Sequence, residues 1–304
     1  MMRSSWSDPN RSMSRRPDDR SPASIHLAVG SMTVFLVRQE RFASVGSTND
    51  VVRAWLAAGT EEVCLAIADE QTAGRGRNGR PWLAPAGTAL LLSLGFRPDW
   101  LPADRVWRLV ATASLAMADA AEEVAGLADG AIRLKWPNDL VVEGVNGGGV
   151  RKLAGLLGET DGLGTDQPRA IVGLGINADW SPTEFPPGLV GSMTSLREAS
   201  GGRPVDLVAL LDGFLGRLEV RVEALRGGRF DVADWVGRQL TTGREVRVAG
   251  HDGLTETLRA LGVDATSGAL VVEDLTAPSG ERPILVGEVV RIGLAGLMST
   301  TSGV

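Results

Sequence analysis

The run Gln71-Thr72-Ala73-Gly74-Arg75-Gly76-Arg77-Asn78-Gly79-Arg80-Pro81-Trp82 interleaves three glycines with three arginines inside seven residues. Three guanidinium forks on a glycine-rich loop suit an anion with several oxygens, such as phosphate or a carboxylate joined to phosphate. Gly74, Gly76 and Gly79 formally satisfy GxGxxG, but a dinucleotide site needs a helix to open here, and Pro81, Trp82 and Pro85 oppose one. A P-loop fails as well, because Arg80-Pro81 stands where Lys-Ser/Thr is required. A solvated basic turn would have similar composition. The interleaving with glycine, in an acidic chain, favours the anion site.

Three further segments carry polar groups at strand ends. Arg133-Leu134-Lys135-Trp136-Pro137-Asn138-Asp139-Leu140 ends a strand at Pro137 and presents an amide and a carboxylate at a turn. Arg151-Lys152-Leu153-Ala154-Gly155 places an ammonium at the mouth of an apolar run, either as a strand-edge gatekeeper or beside a flap formed by Gly144–Gly149. Gly173-Leu174-Gly175-Ile176-Asn177 closes a strand with close-approach glycines and one amide. Ser47-Thr48-Asn49-Asp50 reads as a helix N-cap, whose hydroxyls can also face a ligand. The chain has 29 arginines and two lysines, and both lysines, Lys135 and Lys152, lie in these segments. Arg and Lys are not interchangeable where a compact ammonium is needed.

Composition narrows the rest. With 304 residues and 43% hydrophobic side chains, the chain can bury a large domain and a smaller companion. A net charge of −6 gives no global attraction for nucleic acid. A single cysteine, Cys64, excludes an intramolecular disulfide framework and reads as part of a buried strand. His26 and His251 lie outside every motif, which disfavours a histidine triad. No apolar run reaches the ~20 residues of a membrane span, and the Arg15-Arg16 pair lacks a continuous hydrophobic region after it, so a cytoplasmic location is expected.

The elements that must position these segments follow from periodicity. Residues 1–30, rich in Ser, Pro and Arg, form an expected disordered tail, and Met32 is a candidate start. Strands are expected at Thr33–Val37, Val63–Ala68, Ala89–Phe96, Ile132–Lys135, Leu140–Val142, Leu153–Leu157 and Ala170–Ile176. Helices are expected from Ser47 or Thr48, from Ala103 to Val124, and from Val205 to Leu225. After Gln239, short strands at Gly243–Gly250, Thr255–Leu261, Leu270–Glu273 and Ile284–Ile292 suggest a small β barrel.

Taken in order, Ser47-Thr48-Asn49, Gln71 to Trp82, Lys135 to Leu140, Lys152 to Gly155 and Gly173 to Asn177 resemble the motifs STN, QxxGRGRxGRxW, KWPNDL, KLxG and GxGxN of the biotin protein ligases. The resemblance spans roughly residues 34–240. It implies an α+β fold: a catalytic domain on a mixed sheet, like class II tRNA synthetases, over 31–240, and a C-terminal SH3-like β barrel over 241–304. It also implies ATP and biotin as substrates, Mg²⁺, formation of biotinyl-5′-AMP, and transfer to a lysine of a biotin carboxyl carrier domain of acetyl-CoA carboxylase or a related carboxylase.

By that resemblance Lys152, Arg75 and Asp139 are catalytic, with Lys152 the compact charge at the carboxylate–phosphate junction and Asp139 the candidate base. Ser47, Thr48, Asn49, Gln71, Arg75, Gly76, Arg77, Lys152 and Gly155 line the biotin site. Arg77, Arg80, Trp82, Lys135, Asn138 and Asn177 serve the nucleotide, and Asp139 meets Mg²⁺. A homodimer is an allowed partner; nucleic acid and membrane are not expected, since residues before 34 leave no room for the winged helix-turn-helix of bifunctional members. The Val145–Gly149 stretch is longer than the family's usual connection. The alternatives are a lipoate or octanoyl ligase or transferase of the same superfamily, a non-catalytic biotin sensor, and a DNA-binding regulator.

Overall fold

The computed structural model describes residues 35–144, 149–250, 253–274 and 280–292. The expected tail, Met32, both histidines and most of the Val145–Gly149 stretch lie outside these residues.

A seven-stranded sheet comprises β1 (Arg38–Phe42), β2 (Cys64–Ala68), β3 (Ala89–Phe96), β4 (Ile132–Lys135), β5 (Asp139–Glu143), β6 (Val150–Asp161) and β7 (Arg169–Asn177). The spatial order is β1-β2-β3-β7-β6-β5-β4, parallel only between β1 and β2, so the sheet is mixed. Five helices accompany it: α1 (Thr48–Ala57), α2 (Trp107–Ala125), α3 (Leu196–Ala199), α4 (Leu207–Arg226) and α5 (Val232–Gly237). A second, antiparallel sheet contains β8 (Glu245–Ala249), β9 (Thr255–Val263), β10 (Leu270–Asp274), β11 (Glu281–Ile284) and β12 (Glu288–Ile292).

The two faces of the large sheet are dressed differently. On one, Leu92, Leu94, Leu156, Val172 and Leu174 form a core with Leu109, Ala113 and Met117 of α2 and with Phe214 and Leu218 of α4. Residues two apart on a strand share a face, so the other face carries Cys64, Ala66, Ser93, Gly95, Ile171, Gly173, Gly175, Gly155 and Leu157. Here α1 covers only one corner, burying Val52, Trp55 and Leu56 on Cys64, Ala66 and Ile171. A Cβ at Gly95 would lie 2.7 Å from Val52 Cγ1, so the glycine sets how close α1 sits. Beyond α1 the same face is floored by glycine and stays open.

Trp136 joins the two sheets. It leaves the β4–β5 turn, is 4% exposed, and packs among Val246, Leu258, Leu270 and Val289 of the small sheet. Its indole N–H donates to Gly268 O at 3.0 Å.

Three sequence expectations need correction. Of the strand expected at Thr33–Val37, Thr33 and Val34 lie outside the described residues, Phe35 and Leu36 are buried in the main core outside any strand, and the edge strand is Arg38–Phe42. An edge strand paired on one side tolerates the charged run Arg-Gln-Glu-Arg, which lacks the apolar alternation used to find strands. The run Ile284–Ile292 is two strands, not one, broken at Leu285–Gly287, where Leu285 and Val286 are exposed. The helix expected from Ala103 begins as a single 3₁₀ turn at Ala103–Arg105 and becomes α-helical at Trp107. No helix among the described residues is long and apolar enough to cross a membrane.

Candidate active site

The open, glycine-floored part of the sheet is a cleft of about 330 Å³. All fifteen residues singled out from the sequence line it: Ser47, Thr48, Asn49, Gln71, Arg75, Gly76, Arg77, Arg80, Trp82, Lys135, Asn138, Asp139, Lys152, Gly155 and Asn177.

One end is neutral and hydrogen-bonding. Ser47 occupies the N-cap position of α1 in extended conformation, yet its side chain does not cap the helix. The orphan Thr48 N–H is satisfied by Gln71 Oε1 at 2.8 Å. Asn49 lies over Gly173, where a Cβ would come within 2.3 Å of Asn49 Oδ1. Ser93, fully buried on β3, contacts both Thr48 Oγ1 at 2.7 Å and Asn49 Oδ1 at 2.5 Å.

The loop Gly74–Trp82 folds back over the cleft through Gly76 N–H to Arg80 O at 2.7 Å and Trp82 N–H to Gly74 O at 2.9 Å. Its helical content is one 3₁₀ turn, Arg77–Gly79, with Asn78 in the left-handed region at φ 57°. Each arginine is held by a different element. Arg75 pairs with Asp50 of α1 at 2.6 Å, Arg77 donates to Gly287 O at 2.9 Å, and Arg80 pairs with Glu288 of β12 at 2.6 Å. The Arg75 hydrogen bond, aided by Arg53, holds the Asp50 carboxyl below its ordinary value, and the same bond raises the Arg75 pKa. Trp82 lays its indole on the glycine floor: a Cβ at Gly175 would meet the ring at 2.6 Å, and one at Gly155 at 3.2 Å.

The other end is cationic. Asp139 begins β5 opposite Gly155 of β6 and accepts Lys152 Nζ at 2.7 Å on one oxygen and Lys135 Nζ at 3.3 Å on the other. The Lys152 ammonium sits 5.4 Å from the centre of the Trp82 ring, a cation–π distance. Asn138 Nδ2 donates to Leu156 O and ties the β4–β5 turn to β6. Asn177 Nδ2 donates to Thr194 O at 3.0 Å, anchoring a segment that also bonds the Lys152 backbone through Ser192 O and Thr194 N. That segment brings Leu189, Ser192 and Met193 onto the rim. A neighbouring cavity of about 450 Å³ shares Arg77, Lys135, Asn138 and Asp139 with the cleft and continues beneath Trp107 and Trp235.

Ser93, Glu159, Glu288 and the 189–193 rim escaped the sequence reading, and Asp50 entered it only as part of the helix N-cap. Ser93 left one trace, as the lone polar side chain in the apolar strand ALLLSLGF. The others gain meaning only from partners more than 20 residues away.

Taken together, the cleft offers neutral donors and acceptors at one end, Lys135 and Lys152 at the other, and three loop arginines over it, Arg75 nearest α1. That polarity suits a compact polar group bearing a carboxylate that meets a phosphate.

Comparison with known proteins agrees with this geometry. Residues 42–177 match the Biotin/lipoate A/B protein ligase family. The chain is 35% identical over 208 residues to the biotin--[acetyl-CoA-carboxylase] ligase of Mycobacterium tuberculosis, covering 68% of this chain and 72% of that one. It is 31% identical over 241 residues to the enzyme of the same name from Paracoccus denitrificans, covering 77% and 92%. The fold superposes on the biotin protein ligase from Aquifex aeolicus in complex with biotin and ATP with TM-score 0.66 and 25% identity, over 84% of this chain and 97% of that one. The chain belongs to the biotin protein ligases of the biotin/lipoate A/B protein ligase family.

Proposed function

We propose that this chain is an ATP-dependent biotin protein ligase that forms biotinyl-5′-AMP and passes the biotinyl group to a lysine of a carrier domain. The observation that carries the reading is the juxtaposition of the Thr48–Gln71–Asn49 hydrogen-bonding end with the Lys152–Asp139–Lys135 cluster across one glycine floor.

In the first step the biotin carboxylate attacks the α-phosphorus of ATP and pyrophosphate leaves. Negative charge gathers where the two anions meet, so fixed cations lower the barrier more than a nucleophile would. Lys152 supplies a compact ammonium there, with Asp139 and the Trp82 face fixing its position. Arg75, Arg77 and Arg80 become available to the anion by exchanging Asp50, the Gly287 carbonyl and Glu288 for ligand oxygens. Closing the loop then keeps water from the mixed anhydride. In the second step the carrier amine attacks the acyl carbon and AMP leaves; we assign the amine proton to Asp139, a carboxylate lining the cleft.

Magnesium enters with the nucleotide phosphates. Asp139, held by two ammonium groups, would reach that ion by releasing one of them. The acceptor is proposed to be a carboxylase carrier domain, and the site of action the cytoplasm, where ATP is supplied. A lipoate or octanoyl substrate is disfavoured by the hydrogen-bonding end, for which an alkyl or dithiolane group has no use. Calorimetric titration with biotin and with lipoate, each with and without ATP, tests the reading: biotin binds and lipoate does not.

A further inference from the structure

The hydrogen-bond network beneath α1, closed at its outer end by the partly exposed Arg53–Glu159 pair, gives the Thr48 hydroxyl a direction. Arg53 Nη2 donates to Glu159 Oε2 at 2.8 Å, and the same oxygen accepts Asn49 Nδ2 at 2.5 Å. This fixes the Asn49 amide with its NH₂ toward Glu159 and Oδ1 toward Ser93, because a carboxylate paired with arginine offers only acceptors. Ser93 lies 2.5 Å from that Oδ1 and must spend its single proton there. Its oxygen, 2.7 Å from Thr48 Oγ1, can then only accept, so the Thr48 proton points inward to Ser93. The sole competitor for that proton among the described residues, Gln71 Oε1 at 3.1 Å, is also an acceptor. Ser93 is 0%, Thr48 2% and Asn49 5% exposed, so water does not loosen the chain.

We infer that Ser93 and Glu159 are positioning residues for specificity: through Asn49 they turn Thr48 into an obligate acceptor, so the site selects a heterocycle that presents an N–H to it. The inference rests on the biotin reading, whose cyclic urea has such N–H groups. A ring oxygen in the same place would set two lone pairs against each other at a buried site.

The test uses the full chain, titrated calorimetrically with biotin and with each of its two cyclic carbamate isosteres, in which one urea N–H is replaced by a ring oxygen. The wild-type protein is expected to bind one isostere at least about tenfold more weakly than biotin. In Ser93→Ala the Thr48 hydroxyl loses its 2.7 Å inward partner and keeps only the longer contact to Gln71 Oε1 at 3.1 Å, which a ligand acceptor can displace, and that ratio falls about fivefold or more. Glu159→Ala, at a partly exposed position, removes the acceptor that fixes the Asn49 amide, lets the amide reverse and lowers the ratio in the same direction. A residue that merely supported the fold would weaken both ligands alike. Ratios unchanged in both variants, or no wild-type discrimination while biotin binds, overturn the directional network and leave the biotin reading intact. Failure of the wild-type protein to bind biotin at all overturns that reading first.

Discussion

Lys152 and Asp139 form a 2.7 Å ion pair at the cationic end of the cleft, and Lys135, the chain's other lysine, reaches the second oxygen of the same carboxylate at 3.3 Å. The two lysines of a chain with 29 arginines thus converge on one side chain. A Cβ at Gly155 would stand 3.0 Å from Lys152 Nζ, so the ammonium is closely surrounded. A planar guanidinium cannot take that place without moving Trp82 or Asp139. Lys152→Arg is predicted to slow biotin adenylation by about 100-fold or more while the positive charge is kept. Single-turnover pyrophosphate release measures it; a rate near that of the wild-type protein would remove Lys152 from the junction.

Gly175→Ala tests the glycine floor. Its Cβ would lie 2.6 Å from the Trp82 indole, which must be displaced from the cleft. Overpacking of this kind costs about 1–3 kcal/mol. Biotin affinity is therefore predicted to fall at least about tenfold while circular dichroism stays native. Unchanged affinity would mean that Trp82 is not part of the binding surface.

These two cases show what the sequence made legible. The residues of the cleft were readable because the chemistry is carried by short contiguous motifs, and glycines flanking a strand signal close approach. Strands β2 to β10 were readable from their runs of apolar or β-branched residues. What was not readable depended on tertiary partners. Charged β1 is a strand because β2 pairs with it, and the Leu285–Gly287 turn breaks a run whose β-branched residues read as one strand. The arginine loop reads as free and basic in sequence, yet Asp50, Gly287 and Glu288 hold it from 25 to more than 200 residues away.

Cys64 gives a pH-dependent prediction. The thiol is fully buried between β2 and α1, and burial pushes its pKa up from 9.0 to about 11. A folded-state value above the unfolded one means that stability is present below pH 9 and declines as pH rises toward about 11, because only the unfolded thiol ionises in that window. The loss amounts to about 2–3 kcal/mol at 1.36 kcal/mol per unit. Urea denaturation of the wild-type protein and Cys64→Ala at pH 8 and above pH 10 should show a steeper alkaline decline for the wild type. Equal slopes would contradict burial of the thiol.

Arg238 supports the back of the catalytic sheet. It is 11% exposed and donates to Asp119, Glu122 and Asp234, joining α2 to α5. Removing it in Arg238→Met leaves the buried Glu122 carboxylate with only the Ile132 N–H among these partners. Unpairing a buried charge costs about 3–5 kcal/mol. The midpoint of urea unfolding should drop accordingly; a change under about 1 kcal/mol would place the network among exposed pairs of little worth.

The most direct measurement of the central claim is the mass of a biotin carboxyl carrier domain after incubation with this protein, biotin and Mg-ATP. The carrier is expected to become heavier by one biotinyl group on a single lysine, in an ATP-dependent reaction that slows by about 100-fold or more when Lys152 is replaced by arginine. An unmodified carrier, or transfer of a lipoyl or octanoyl group to a lipoyl domain instead, would contradict it.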